Sequence, residues 1–219
     1  MFIIKPKSTW YPKHYDDLNN VCIAVPNGSE SKLNALGVTT DTSQKRYVRH
    51  LSSAASKYRL AKYCEGFRDA LPDFDGDTEP SQELINGYSA QLIVMLAFVA
   101  LESHLRMRDT SWQDFDFSSH QTHTVKLAEL ARKSLSDEAL CALQRAMDNA
   151  NLRRRLQRFR EGDNNEALAV MSAVRNAFAH GKMGVKFSVD LSSAKAIRDA
   201  LLDLIVADCE QMIAFLSEE

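Results

Sequence analysis

The sequence predicts an all-α protein, built as an up-and-down bundle of helices. Apolar residues recur three or four positions apart through most of the chain from residue 41 onward, which is typical of helices with one buried face. Alternation of the kind found in strands is confined to short stretches. Polar residues that cap helices, such as Ser136 and Asn164, stand where periodic segments begin.

Length and composition favour a single soluble domain with an extension. The chain has 219 residues, 45% of them hydrophobic, which is ample for a core. A formal net charge of -2 predicts no general attraction to nucleic acid, so an RNA site would have to be a local patch. The longest apolar run, Leu92 to Leu101, is shorter than the roughly 20 residues that cross a membrane. We therefore expect no membrane partner.

Four cysteines lie far apart and lack the spacing of a zinc site or a disulfide framework: Cys22, Cys64, Cys141 and Cys209. We interpret them as reduced thiols of a cytoplasmic protein.

Proline and glycine interrupt residues 1–40, which predicts an N-terminal extension, irregular or with a little β-structure. Phe2–Ile4 and Val21–Val25 are its candidate strands. Residues 41–219 are predicted to form the helical domain.

Within that domain the first helix is predicted from Thr42 to Leu71, with Cys64 and Phe67 on its apolar stripe. An acidic linker, residues 72–80, follows. The second helix is predicted from Ser81 to Arg108. Its stripe of Tyr88, Leu92, Met95 and Val99 continues to Glu102, a carboxylate that needs a partner when it faces inward. Arg106, one turn later, is one candidate partner, and Arg175 across the bundle is the other.

Residues 109–124 combine aromatic residues with two histidines. His120 and His123, beside Asp114 and Asp116, could ligate a metal, but a third well-spaced ligand is missing. A polar loop with aromatic side chains that pack into the core is the favoured interpretation, so neither a metal nor another cofactor is expected. Helices follow from Thr122 to Leu135 and from Ser136 through Asn149 or beyond.

The strongly basic stretch of the chain is Leu152 to Arg160. Leu152, Leu156 and Phe159 form a narrow inward stripe, which directs the arginines to solvent. Candidate RNA-binding residues in this stretch are Arg153, Arg154, Arg155 and Arg158. A solvated helix face or a dock for an acidic partner protein is the alternative.

A helix is predicted from Asn164 or Asn165 to Gly181, where glycine suits a helix stop. Its core face contains Ala167, Val170, Met171, Val174 and Phe178. The opposite face is flat and carries mostly small residues: Ala169, Ser172, Ala173, Asn176, Ala179 and His180. Asn176 and His180 lie one turn apart on it, with Arg175 at its edge. A satisfied polar pair at a helix end is the plain interpretation of Asn176 and His180.

Beyond this helix, Val185, Phe187 and Val189 alternate with polar residues and predict a short β-hairpin arm. A last helix is predicted from Ser192 or Ser193 to the end of the sequence, with an apolar stripe that closes the bundle.

Arg175-Asn176, three further residues and His180 resemble the arginine, polar residue, spacer and histidine motif of the HEPN superfamily. With the order of the helices, the resemblance is strongest over residues 81–219. It implies a helical domain of the kind found in metal-independent ribonucleases of toxin–antitoxin, phage-defence and RNA-processing systems. One toxin subgroup has a tyrosine two places after the histidine. Lys182 stands there in this chain, so control by modification of that tyrosine is not expected.

The resemblance implies Arg175, Asn176 and His180 as catalytic residues, with Glu102 as a candidate orienting carboxylate. It also implies a homodimer in which two motif helices face each other and build one composite site, an RNA substrate, and a candidate antitoxin or regulatory partner protein. The alternative from a different class is a non-catalytic HEPN-like dimeric module that binds a nucleotide, RNA or a protein.

Overall fold

The computed structural model describes residues 2–4, 13–24, 44–67, 81–182 and 189–217. Within these ranges it contains eight α-helices and two short strands. In chain order they are β1 (Phe2–Ile4), α1 (Lys13–Ala24), α2 (Gln44–Tyr63), β2 (Cys64–Phe67), α3 (Gln82–Met107), α4 (Gln121–Ser134), α5 (Asp137–Ala146), α6 (Ala150–Arg160), α7 (Ala167–Ala179) and α8 (Leu191–Ser217). Short 3₁₀ turns at Ser118–His120 and Asn164–Glu166 precede α4 and α7. The predicted all-α class is confirmed.

Helices α3 and α8 form the centre of the molecule. Helix α3 packs against α2, α7 and α8, and α8 packs in addition against α1 and α4. Because α3 is apolar on nearly all sides, it is buried on nearly all sides. The predicted stripe is its less buried side, since Tyr88 is exposed and Met95 and Val99 are half-buried, whereas Ile93, Ala97 and Phe98 are fully buried.

The length and composition of α3 would also allow it to span a membrane, although its continuous apolar run is short. In this structure most of its apolar window is buried among the other helices. The apolar character of α3 is therefore that of a central bundle helix.

Three helices begin where a polar side chain caps the first free amides. Ser81 Oγ accepts from the Leu84 amide at 3.3 Å and Ser136 Oγ from the Ala139 amide at 3.1 Å, which confirms these predicted starts. Asn149 Oδ1 accepts from the Leu152 amide at 3.0 Å. The prediction of one helix from Ser136 through Asn149 is wrong, because α5 ends at Ala146 and Asn149 caps a new helix.

Of the two strands predicted in the N-terminal part, one is confirmed and one is wrong. Strand β1 pairs antiparallel with β2. The strand predicted at 21–25 is wrong over residues 21–24, which belong to α1. Tyr15 and Leu18, three positions apart on α1, are fully buried, and the helix packs on α8. Tertiary packing of this helix therefore overrides the local strand preference of Val21 and Ile23.

The first long helix was predicted to run to Leu71, but α2 ends at Tyr63 and the next four residues form β2. Gly66 explains the change of structure, because its φ of +101° is one that other residues rarely adopt. A Cβ on Gly66 would lie 2.5 Å from Cβ of Ser89 on α3, so only glycine permits this approach.

Two polar contacts fix β2 between the central helices. Ser89 Oγ of α3 accepts from the Phe67 amide at 2.9 Å. Arg198 Nη1 of α8 donates to the Cys64 carbonyl at 3.1 Å. Strand β2 therefore holds β1 against the bundle.

Some predicted features fall outside the described residues. They are the acidic linker at 72–80, most of the hairpin arm at 185–189, and residues 25–43, which include the predicted boundary of the helical domain. The helix predicted after the hairpin is confirmed as α8, and its stripe, including Ile197, Leu201 and Met212, is buried.

Candidate active site at the end of helix α7

The end of α7 is fixed by its backbone. The helix stops at Ala179, and His180 is its C-cap. Gly181 has a φ of +62°, the left-handed conformation that glycine adopts without strain. The Lys182 amide then donates to the Ala177 carbonyl at 2.8 Å, and the Gly181 amide to the Phe178 carbonyl at 3.1 Å. This pair of bonds is a Schellman motif, and the helix stops next to the glycine that predicted its end.

The start of α7 differs slightly from the prediction. Residues 164–166 form a 3₁₀ turn capped by Asp163, and the α-helix begins at Ala167. The Asp163 side chain accepts from the Asn165 amide at 3.0 Å, so it supplies the cap that Asn164 was expected to supply.

Exposure increases along α7 from its start to its end. Every residue from 167 to 174 is buried, Arg175 and Asn176 are half-buried, and Ala179 and His180 are exposed. The small residues Ala169, Ser172 and Ala173 are thus covered by the chain itself. These three residues are therefore not available to a second copy, and only the last turn of the face is accessible.

Glu102 of α3 is the partner of Arg175. Its Oε1 binds Nη2 of the guanidinium, while Nη1 donates to Asn176 Oδ1 at 2.5 Å. Of the two candidate partners, the structure therefore selects Arg175, and Arg106 lies exposed on the same helix. The side chains of Arg175 and Glu102 are 29% and 18% exposed, so the guanidinium is oriented and still faces solvent on one side.

His180 has cationic neighbours. Lys182 Nζ donates to Asp148 Oδ2 at 2.5 Å and to the Ala146 carbonyl at 3.4 Å, which joins the end of α7 to the connection between α5 and α6. The hydrogen bond from Lys182 and its charge lower the pKa of the Asp148 carboxyl, and the charges of His180 and Arg153 lower it further. Asp148 therefore bonds to Lys182 and lies within the electrostatic influence of His180 and Arg153.

The basic stretch forms α6, and its inward stripe is confirmed because Leu152, Leu156 and Phe159 are buried. The prediction that its arginines face solvent is wrong for Arg155. Glu166, which is 3% exposed, binds both Arg155 and Arg158, and the Arg155 guanidinium lies 4.5 Å from the ring centre of Trp112. Glu166 lies in the turn before α7 and not on α6. Helical spacing within the basic stretch therefore did not predict its pairing with Arg155 and Arg158.

Arg153 and Arg154 remain at the surface. Both are exposed, and Arg154 Nη2 donates to the neighbouring Asn151 side chain at 2.8 Å. Arg153 and Arg154, in the N-terminal part of the basic stretch, can thus contact a phosphate without first breaking an internal ion pair.

The loop before α4 packs its aromatic side chains inward, as the favoured interpretation predicted. Trp112 is buried, and Phe115 and Phe117 pack against the core. Together with Arg155 they border a cleft of about 390 Å³. Among the residues that the structure describes, no three histidine, cysteine, aspartate or glutamate side chains are grouped to hold a metal ion.

A buried polar network lies between α3 and α8 and was not predicted. Asp208 binds His104 Nε2 at 2.7 Å, Arg108 Nη1 at 2.5 Å and His120 Nε2 at 3.2 Å. His104 Nδ1 also lies 3.1 Å from the Tyr15 hydroxyl of α1. The network links three helices and the 3₁₀ turn before α4, so it fixes their relative positions.

Burial alone would raise the pKa of Asp208. Hydrogen bonds from His104 and His120, with the charges of His104 and Arg108, instead hold it well below its usual range. One sequence signal existed, since Asp208 interrupts the apolar stripe of α8 as Glu102 does that of α3. Its partners lie about 100 positions away and could not be identified from spacing.

Comparison of the chain with protein-family models, curated proteins and solved structures finds no match.

Proposed function

We propose that the protein is a metal-independent endoribonuclease of the HEPN type, with its site at the exposed end of α7. The observation that carries the proposal is the Arg175 guanidinium, which Glu102 and Asn176 hold one turn before the exposed His180. Burial of the core face does not require this arrangement, because Arg175 and Asn176 are half-buried and His180 is exposed, whereas Ala177 between them is buried.

The three side chains match what RNA cleavage needs. RNA supplies its own nucleophile, the 2′-hydroxyl, so the protein has to move protons and stabilise charge. His180 is the proton donor to the leaving 5′-oxygen, since histidine is the side chain best suited to proton transfer near neutral pH. Arg175 stabilises the negative charge that grows on the phosphate, and Asn176 orients the guanidinium.

One protomer provides a single motif arginine and a single motif histidine. We propose that two protomers form a homodimer in which the last turns of both α7 helices build a composite site. There, one His180 accepts the proton that the attacking 2′-hydroxyl loses, and the other donates a proton to the leaving 5′-oxygen. The proposed biological role is that of a toxin or defence effector, regulated by an antitoxin or another partner protein.

The test is incubation of the purified protein with total RNA in the presence of a chelator. We expect cleavage products that end in a 2′,3′-cyclic phosphate. His180→Ala should slow cleavage by about 10²- to 10⁴-fold, the usual contribution of general acid–base catalysis. Arg175→Lys keeps the charge but loses the planar fork, so it should also be markedly impaired.

His123→Ala is the matched control, because His123 is a partly exposed histidine of α4 outside the site. Cleavage that requires added magnesium or manganese would contradict the mechanism. A protein that binds RNA and cleaves none, with His180→Ala equal to wild type, would instead support the dimeric binding module.

A further inference from the structure

The Schellman turn brings Lys182 next to a different part of the chain. Because Gly181 reverses the backbone, Lys182 lies beside the last turn of α7 and its side chain crosses to the α5–α6 connection. There its Nζ contacts Asp148, the residue before the Asn149 cap of α6. Arg153, exposed in the first turn of α6, is tied to that cap, because its amide donates to the Asn149 carbonyl at 3.0 Å. Its charge contributes to the lowered pKa of the Asp148 carboxyl. Two elements therefore converge on one carboxylate.

The ion pair between Lys182 and Asp148 is weak because both side chains are accessible to solvent. The Asp148 side chain is 91% exposed and that of Lys182 is 35% exposed. Ion pairs at such exposure contribute little to stability, so they exchange readily. A phosphodiester carries the same single negative charge as the carboxylate and presents acceptor oxygens to the same donors. It can therefore replace Asp148 at Lys182.

We propose that Lys182 and Arg153, beside His180, form a subsite for an RNA phosphate next to the one that is cleaved, and that Asp148 is the exchangeable counter-ion of this subsite. The inference rests on the proposed ribonuclease function. It assigns Lys182 and Arg153 to substrate binding, with no part in proton transfer. Arg155 and Arg158, which Glu166 holds, are not part of the subsite.

The experiment measures binding separately from cleavage. The probe is a single-stranded RNA oligonucleotide with 2′-O-methyl groups, which cannot be cleaved by the neighbouring oxygen. Its affinity is measured by fluorescence anisotropy over a series of salt concentrations. For a single strand, each phosphate contact contributes about 0.7 to the slope of log affinity against log salt concentration.

Lys182→Gln should make this slope less negative by about 0.7. The ratio of wild-type affinity to variant affinity should therefore be roughly fivefold larger at 0.1 M salt than at 1 M salt. Arg153→Gln should have an effect of the same size. Asp148→Asn should tighten binding, because the competing charge is removed. The matched control is Lys126→Gln, since Lys126 forms a comparable exposed pair with Asp203 at 3.1 Å. It should change neither affinity nor slope.

Lys182→Gln that behaves like Lys126→Gln would overturn the subsite, as would weaker binding by Asp148→Asn or a wild-type protein that binds no RNA. The ribonuclease proposal fails on a different result. If wild type leaves unmodified RNA intact while Lys182→Gln changes the salt slope as expected, the subsite stands and the catalytic function does not.

Discussion

Glu102 is a single carboxylate whose partner decides the geometry of the candidate site. Glu102→Gln keeps the size of the side chain but removes the charge that holds Arg175. A hydrogen bond between charged groups contributes about 1.5–3 kcal/mol, so we expect cleavage to slow by roughly 10- to 100-fold. Affinity for uncleavable RNA should change little, because Glu102 contacts no phosphate. Steady-state kinetics should therefore show a lower kcat at similar KM.

Arg106→Gln is the control for this prediction, since Arg106 is exposed on the same helix one turn later. It should cleave RNA at the wild-type rate. An equal loss of kcat in both variants would mean that the effect is not specific to the pair between Glu102 and Arg175.

Asp208 is expected to contribute to the stability of the fold in a way that depends on pH. Its folded-state pKa is lowered, so its contribution is fully present above the unfolded value near pH 4 and decreases as the pH falls below it. Asp208→Asn breaks a buried charge cluster and should lower the free energy of unfolding by about 3–5 kcal/mol at pH 7.

Guanidinium unfolding at pH 7 and at pH 3 measures both effects. The difference between wild type and Asp208→Asn should shrink at pH 3. Asp203→Asn provides the comparison, because Asp203 is an exposed aspartate five positions earlier on α8. A constant difference at both pH values would show that the lowered pKa of Asp208 does not stabilise the fold.

At the scale of elements, β2 depends on Gly66. Gly66→Ala combines a left-handed φ with a clash against Ser89 on α3 and should destabilise the protein by about 2–4 kcal/mol. Gly162 isolates the first of these effects, because its φ is +113° and no atom lies within 4 Å of an added Cβ. Gly162→Ala should therefore cost only about 1 kcal/mol. Equal losses in thermal unfolding would mean that β2 moves away from α3 without penalty.

Elements with strong local signals were the predictable ones. Serine caps and a Schellman glycine are local, and so are the apolar stripes that predicted α6 and α8 correctly. Strand β2 was missed because Cys64 and Phe67 also fit a helical stripe, and what excludes the helix is a contact between Gly66 and a residue of α3. Periodicity also failed to identify the buried face of α3, since a helix that is apolar all round has no preferred face.

The candidate site shows the same difference between local signals, which the sequence reveals, and contacts between distant elements, which it does not. Arg175, Asn176 and His180 were identified because they are adjacent on one helix. The Glu102 pair could be stated only as one of two alternatives, because its choice depends on how two helices pack. Glu166 was not anticipated as the partner of Arg155 and Arg158, and neither was Asp208 as the centre of a buried network.

At the scale of the whole molecule, the proposed dimer can use only the exposed last turn of α7. A bulky residue at Ala173 would disrupt the protomer itself, because Ala173 is fully buried. Ala179 is exposed, so Ala179→Arg should leave stability within about 0.5 kcal/mol of wild type. It should convert the dimer to a monomer in light scattering and abolish cleavage, since two like charges would meet at the twofold axis.

Ala214→Arg adds the same charge to an exposed position of α8 and should leave assembly and cleavage unchanged. Dimers that persist in Ala179→Arg would refute this placement of the interface.

The gradient of exposure along α7 has a consequence for hydrogen exchange and for evolution. Amides of residues 171–174, enclosed by the core, should exchange with solvent only when the whole domain unfolds, whereas those of residues 179–182 should exchange through local opening of the last turn. The residues that carry the proposed chemistry thus lie where a fully buried segment of α7 meets an exposed one. Substitutions around His180 can alter substrate choice at little cost to folding, while the preceding two turns tolerate almost none. Such a helix can diverge in chemistry and keep its architecture.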